Sequence, residues 1–185
     1  MTESQTRLRL RVAIKAMMFV ATLAVLYVFG AAFFSLEQRE SSLNAMAVGV
    51  SQLSPGDTLK VDWQGQPVLI HRRTGDEIQW LSQPQGGLAD AASTQSIQPS
   101  WAQTAYRSRT PEWFVALAVR GDEDCPVEAD DQRPEGGYIG YCEGVRFDSA
   151  GRVFAGMSDT PVKNLRVPSY EVDEGLILLG GQPRR

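Results

Sequence analysis

From Ala16 to Leu36 the chain runs for 21 residues without a charged side chain. A helix rises about 1.5 Å per residue, so this run is long enough to cross a hydrocarbon core about 30 Å thick and predicts a single transmembrane helix. Arg7, Arg9, Arg11 and Lys15 precede it, whereas Glu37, Arg39 and Glu40 follow. By the positive-inside bias, residues 1–15 are expected as a cytoplasmic N-terminus and everything beyond 16–36 on the far side, in the periplasm or its equivalent. The competing reading is a cleaved signal peptide, with Gly30 and Ala32 as small residues at a cut site; against it, the apolar run continues through Phe33 and Phe34. No adjacent arginine pair occurs near the N-terminus, so export as an unfolded chain is the simpler route.

Beyond the span the composition shifts. Residues 37–56 are polar, then small and weakly apolar, and finish in Ser54-Pro55-Gly56, the pattern of a hinge or linker. Residues 57–180 read as a head made of short strands, with 181–185 as a C-terminal tail. Thr58 to Trp63 alternates, Gln64-Gly65-Gln66 turns the chain, and Pro67 to His71 is a compact apolar run, which together predict a hairpin. Trp113 to Val119 has the character of a buried strand. Val145 to Asp148 and Arg152 to Phe154, joined by Ser149-Ala150-Gly151, predict a second hairpin, and Leu176 to Leu179 a last strand. Residues 85–110 are polar and read as loop with one short helix at most. With no helical period visible in the head, the expected class is all-β and antiparallel.

Three counts narrow the chemistry. The net charge is -4, so no cationic field exists to hold DNA or RNA, and nucleic acid is not expected as a partner. The chain has two cysteines and one histidine. Cys125, Cys142 and His71 are therefore its whole supply of thiolate and imidazole, too few for a four-ligand zinc site or an all-cysteine iron-sulfur cluster. No phosphate-binding glycine loop, nucleophile elbow, Ser-His-Asp arrangement or HExxH helix is present, so no catalytic residue is expected. His71 itself is expected as a partly exposed residue at a strand end.

Four segments carry a resemblance. GDTLKVDWQGQPVLIHRRTGDEI (56–78), PEWFVALAV (111–119), FDSAGRVFAG (147–156) and NLRVPSY (164–170) resemble, in order and spacing, the soluble head of the Rieske iron-sulfur subunit of respiratory cytochrome bc complexes. The resemblance implies a membrane anchor, a hinge and a β-sandwich head of three sheets, and a place in a bacterial inner membrane. In that family two loops, C-x-H-x-x-C and C-x-C-H-G, hold a two-iron two-sulfur cluster through the first Cys and the His of each, and the other two cysteines form a disulfide. Here the first loop is Arg120-Gly121-Asp122-Glu123-Asp124-Cys125 and the second Gly140-Tyr141-Cys142-Glu143-Gly144. Arg120, Asp122, Gly140 and Glu143 thus stand at the four ligand positions, while Cys125 and Cys142 keep the disulfide positions.

The resemblance therefore implies a degenerate member with no 2Fe-2S cluster and no bound cofactor. A Rieske centre needs two imidazoles, which one histidine cannot supply. The expected function is a non-redox, membrane-anchored accessory or assembly subunit of a respiratory complex, either a cytochrome bc complex or a terminal oxidase. Its expected partners are the membrane and subunits such as cytochrome b, a c-type cytochrome or an oxidase. A regulator or decoy occupying the docking position of an active Rieske subunit is a variant of that reading. The alternatives are a true electron-transfer subunit of ubiquinol-cytochrome c reductase and a periplasmic thiol-disulfide protein. The carboxylates Asp122, Glu123, Asp124, Glu128, Asp130, Asp131 and Glu143 disfavour a reactive thiolate. Partly offset by Arg120, Arg133 and Arg146, they read as a solvated loop, as a patch steering a basic partner, or as an oxygen site for a divalent cation.

Overall fold

The computed structural model describes residues 11–29, 45–121, 125–130, 132, 136–159 and 161–181. The chain divides into two units, residues 1–43 and 44–185. The first contains helix α1 (Arg11–Phe29), which is long and apolar enough to cross a membrane. Within it the Thr22 hydroxyl donates to the Met18 carbonyl at 2.9 Å, so this polar group is satisfied inside the helix. Residues 30–36 of the expected span lie outside the described residues.

The second unit is built of ten strands in three antiparallel sheets, the all-β class expected from the sequence. Strands β1 (Met46–Gly49), β10 (Leu176–Leu179) and β9 (Tyr170–Asp173) form one sheet in the order β1-β10-β9. A second has the order β2-β3-β4, from β2 (Thr58–Trp63), β3 (Gln66–Arg72) and β4 (Trp113–Leu117). The third runs β5-β6-β7-β8, from β5 (Val119–Arg120), β6 (Cys125–Ala129), β7 (Tyr138–Gly140) and β8 (Val145–Phe147).

The β2–β3 hairpin follows from its turn. Gln64 and Gly65 both have positive φ, 58° and 74°, the backbone of a two-residue turn whose twist suits an antiparallel pair. The Gly65 N–H donates to Asp62 Oδ1 at 3.0 Å and closes it. In β3, Val68, Leu69 and Ile70 are buried on both faces because the strand lies between β2 and β4. All five residues of β4 are buried. Phe114, Tyr138, Phe147, Leu165, Tyr170, Ile177 and Leu179 fill the core they share.

Four features differ from the sequence reading, each for a physical reason. The run expected as one strand, Trp113 to Val119, changes partners at Ala118. There the N–H donates to the Pro67 carbonyl of β3 at 2.7 Å, and the carbonyl accepts from Val127 of β6 at 2.9 Å. One extended segment therefore belongs to two sheets. Second, β1 lies inside the stretch expected as linker (37–56), and its Val48, with the adjoining Val50, is buried in the core. Third, helix α2 (Gly75–Leu81) interrupts the head, held by a capping box between Thr74 and Glu77 rather than by a long apolar stripe. Fourth, the return limb of the expected second hairpin makes only isolated bridges, Phe147 with Val153 and Leu88 with Phe154. Its turn is nonetheless tight: Gly151 has φ 66°, and a Cβ there would stand 2.8 Å from Phe114 Cζ.

Residues 85–110 are irregular apart from the short 3-10 turn Ser100–Ala102. Buried guanidiniums tie this stretch to the sheets. Arg107 donates to Gln98 Oε1 and to the carbonyls of Ala150, Gly151 and Leu165, at 2.7–3.1 Å. Arg73 reaches the carbonyls of Ser149, Pro111 and Tyr106 and the Ser108 hydroxyl, at 2.7–3.0 Å. Backbone carbonyls without a strand partner thus find charged donors. Burial pulls the Arg107 guanidinium down to about 10. Replacing Arg107 by Met leaves three buried carbonyls without this donor, and a loss of about 2–4 kcal/mol in urea unfolding is expected. A loss under about 0.5 kcal/mol, the range of a neutral surface change, would show that the stretch is held some other way.

Candidate functional site

The two loops singled out in the sequence meet at one end of the β5-β6-β7-β8 sheet. Arg120 in β5 faces Cys125 in β6 across the ladder. Gly140 ends β7 and pairs with Val127 on one side and Val145 on the other. The turn between β7 and β8 carries Tyr141, Cys142, Glu143 and Gly144. A disulfide joins Cys125 and Cys142, whose Cα atoms are 5.8 Å apart. Cys125 is wholly buried and Cys142 is exposed; the Cys142 N–H donates to Cys125 Sγ at 3.0 Å.

Beside the disulfide, Arg120 Nη1 donates to Glu143 Oε2 at 2.8 Å. The Arg120 side chain is 6% exposed and that of Glu143 43%. Ser158 Oγ donates to the same carboxylate oxygen at 2.8 Å. The hydrogen bonds from Arg120 and then Ser158 hold the Glu143 carboxyl below its ordinary range. Of the four degenerate positions, the structure therefore brings Arg120 and Glu143 into contact and sets Gly140 two residues before Cys142. Asp122 lies outside the described residues, as do Glu123, Asp124, Asp131 and Arg133. A Cβ on Gly140 would stand 3.6 Å from the Val145 carbonyl and 3.8 Å from Phe147 Cε2, ordinary contact distances.

The described carboxylates are paired. Glu128 accepts from Lys60 Nζ at 2.9 Å and from the Tyr141 hydroxyl at 3.2 Å, and Asp130 is buried with Arg146 Nε at 3.7 Å. Among the described residues, no group of three or more His, Cys, Asp or Glu side chains is placed to hold a metal ion.

His71 corrects the sequence reading. It is 6% exposed rather than partly exposed, because α2 folds back over the end of β3. Its Nδ1 lies 2.8 Å from the Thr58 hydroxyl and its Nε2 3.0 Å from Glu77 Oε1. Glu77 also accepts from the Thr74 N–H at 2.7 Å through Oε2. Its burial raises the carboxyl, but the His71 hydrogen bond and charge, joined by the bonds to Thr74, outweigh that and hold it below the usual 4.5. The sequence signal was present in Thr74-x-x-Glu77, an N-terminal capping pattern that reading for alternation alone passes over.

The chain is similar to known proteins over most of its length. It is 32% identical over 140 residues, 75% of the chain, to "Cytochrome b-c1 complex subunit Rieske-4, mitochondrial" of Nicotiana tabacum, of which it covers 54%. Identity is also 32% with the corresponding Rieske subunit of Zea mays, of which 46% is covered, and 30% with Rieske-1 of Arabidopsis thaliana, of which 47% is covered. Its homologues are thus Rieske subunits of cytochrome b-c1 complexes, and the chain spans about half the length of these curated relatives. No family model matches. Among solved structures it is similar to a chain of a hyperthermophilic respiratory Complex III, with a TM-score of 0.45 and 14% identity over 86% of this chain and 97% of that one. A second likeness, to the ferredoxin of carbazole 1,9a-dioxygenase from Nocardioides aromaticivorans, has a TM-score of 0.39 and 13% identity over 72% of this chain and 92% of that one.

The residues present do not fit a two-iron two-sulfur cluster. Such a centre takes two thiolates and two imidazoles. Both sulfurs of this chain are bound to each other, and its one imidazole is engaged with Thr58 and Glu77. At the loops, Arg120 supplies a cation and Gly140 no side chain.

Two predictions follow from this geometry. In a double Cys125→Ser, Cys142→Ser variant, the bond closing a loop with a sequence separation of 17 is gone. Unfolding in urea is expected to come about 3 kcal/mol easier than for the oxidised protein. For Glu77, a depressed folded pKa means a contribution present above the unfolded value of 4.5 and lost as pH falls through the folded value. Glu77→Gln should flatten the fall in urea midpoint between about pH 5 and pH 3; an acid limb as steep as wild type would contradict it.

Proposed function

We propose that this chain is a membrane-anchored, Rieske-type subunit without a cluster, serving a respiratory complex, a cytochrome bc complex or a terminal oxidase, as an accessory or assembly component. The observation that carries the reading is the contact at the tip: Arg120 and Glu143, at two positions where the resemblance would put iron ligands, are bonded to each other beside a kept disulfide. With no high-potential centre the head carries no electron, and what remains for it is contact surface. The Rieske subunits among its relatives support the link to a respiratory complex. The apolar helix α1 supports an anchor. Arg7, Arg9, Arg11 and Lys15 before it support an N-terminus in the bacterial cytoplasm, and the disulfide supports a head in an oxidising compartment such as the periplasm.

The same relatives favour a second reading, in which the chain is an electron-transfer subunit of a cytochrome b-c1 complex. Iron analysis and electron paramagnetic resonance on the full chain, purified in detergent without metal stripping, separate the two. The cluster-less reading expects no Rieske-type signal and far less than stoichiometric iron; a signal with two irons per chain would establish the electron carrier. Gentle detergent extraction followed by mass spectrometry is expected to recover cytochrome or oxidase subunits with the chain, and its isolation without any respiratory subunit would remove the accessory role.

A further inference from the structure

The tip is cross-linked twice, and the two links are neighbours. Arg120 lies opposite Cys125 in the β5–β6 register, and Glu143 follows Cys142 in the β7–β8 turn. The disulfide and the ion pair therefore join the same two segments as adjacent rungs, one covalent and one electrostatic. Ser158, bonded to the same Glu143 oxygen, draws in the chain that follows Gly156. Exposure is graded along this arrangement: Arg120 and Cys125 are buried, while Cys142 and the Glu143 carboxylate face solvent.

We propose that the Arg120–Glu143 pair is the metal-free replacement for a cluster at this tip, holding the two loops together and guarding the Cys125–Cys142 disulfide against reduction. This rests on the cluster-less reading above. The chemistry of guarding follows from the positions. A thiolate reductant attacks the exposed Cys142 sulfur, the S–S bond breaks, and Cys125 leaves as a thiolate in a buried site beside Arg120. A second thiol of the reductant then displaces it from Cys142, so the reductant ends as a disulfide and the protein holds two thiols. Glu143 opposes this in two ways. Its charge beside Cys142 repels the incoming thiolate, and its bond to Arg120 engages a cation that would otherwise stabilise the departing Cys125 sulfur.

The test uses the full chain in detergent and dithiothreitol as the reductant, with the rate of disulfide loss followed by thiol alkylation. Glu143→Gln is expected to be reduced roughly fivefold faster than wild type, the scale of losing a charge-assisted hydrogen bond at a half-exposed site. Glu128→Gln, which removes a nearby surface charge that bonds Lys60 and Tyr141 rather than Arg120, should leave the rate unchanged. Ser158→Ala, milder than Glu143→Gln, should shift the rate in the same direction by less and serves if the first variant does not fold. Equal acceleration by Glu128→Gln would reduce the effect to general repulsion and overturn the proposal, as would a wild-type rate in both Glu143→Gln and Ser158→Ala. Iron measured on the same wild-type preparation reports separately: stoichiometric iron defeats the cluster-less reading whatever the rates, whereas absent iron with unchanged rates defeats only the guarding role.

Discussion

The segment from Trp113 to Arg120 is the constraint on which the head depends. Its first half is buried on both faces against β3 and supplies Phe114 to the core; its last residue is the cation of the tip. The change of partners at Ala118 passes the chain from one sheet to the next without a loop, so any displacement of the core strand is transmitted to Arg120. A short, fully buried strand has few ways to slip, because a one-residue shift would exchange every side chain between faces. The geometry of the tip is in this sense inherited from the packing of Trp113, Phe114 and Val115.

Around that segment the fold solves an unusual polar problem. More than twenty residues run without regular structure between α2 and β4, and their carbonyls need donors. Two arginines meet that need from inside, Arg107 and Arg73, while Asp148 binds Arg152 at 2.7 Å and also caps the turn at Ala150. Arg73 in addition lies over the Phe114 ring, 4.9 Å from its centre, which couples this polar layer to the core strand. The long stretch is therefore part of the structure that fixes the sheets rather than decoration outside them.

Much of this was legible in the residues. Alternation and a Gln-Gly turn located the first hairpin to the residue, and Leu176 to Leu179 was bounded as it is found, because period-two patterns and positive-φ turns are local properties. What could not be read depended on distant partners. β1 is a weakly apolar tetrapeptide that becomes a strand only because β10, more than a hundred residues later, offers it an edge. The break at Ala118 has no local cause, and the burial of His71 depends on a seven-residue helix too short to show a period. At the tip, the sequence named Arg120 and Glu143 as positions lacking iron donors but gave no sign that they bond to each other, since 23 residues separate them.

Gly140 bears on how such a head could change. The strands on either side have not closed over the position, and a β-carbon there would meet neighbours at ordinary contact distances. A chain that drops a side chain while keeping the surrounding backbone retains the lodging without the lodger. The architecture at this corner is consequently indifferent to which residue it houses, and single exchanges at this site trade chemistry without first having to rebuild the wall around it.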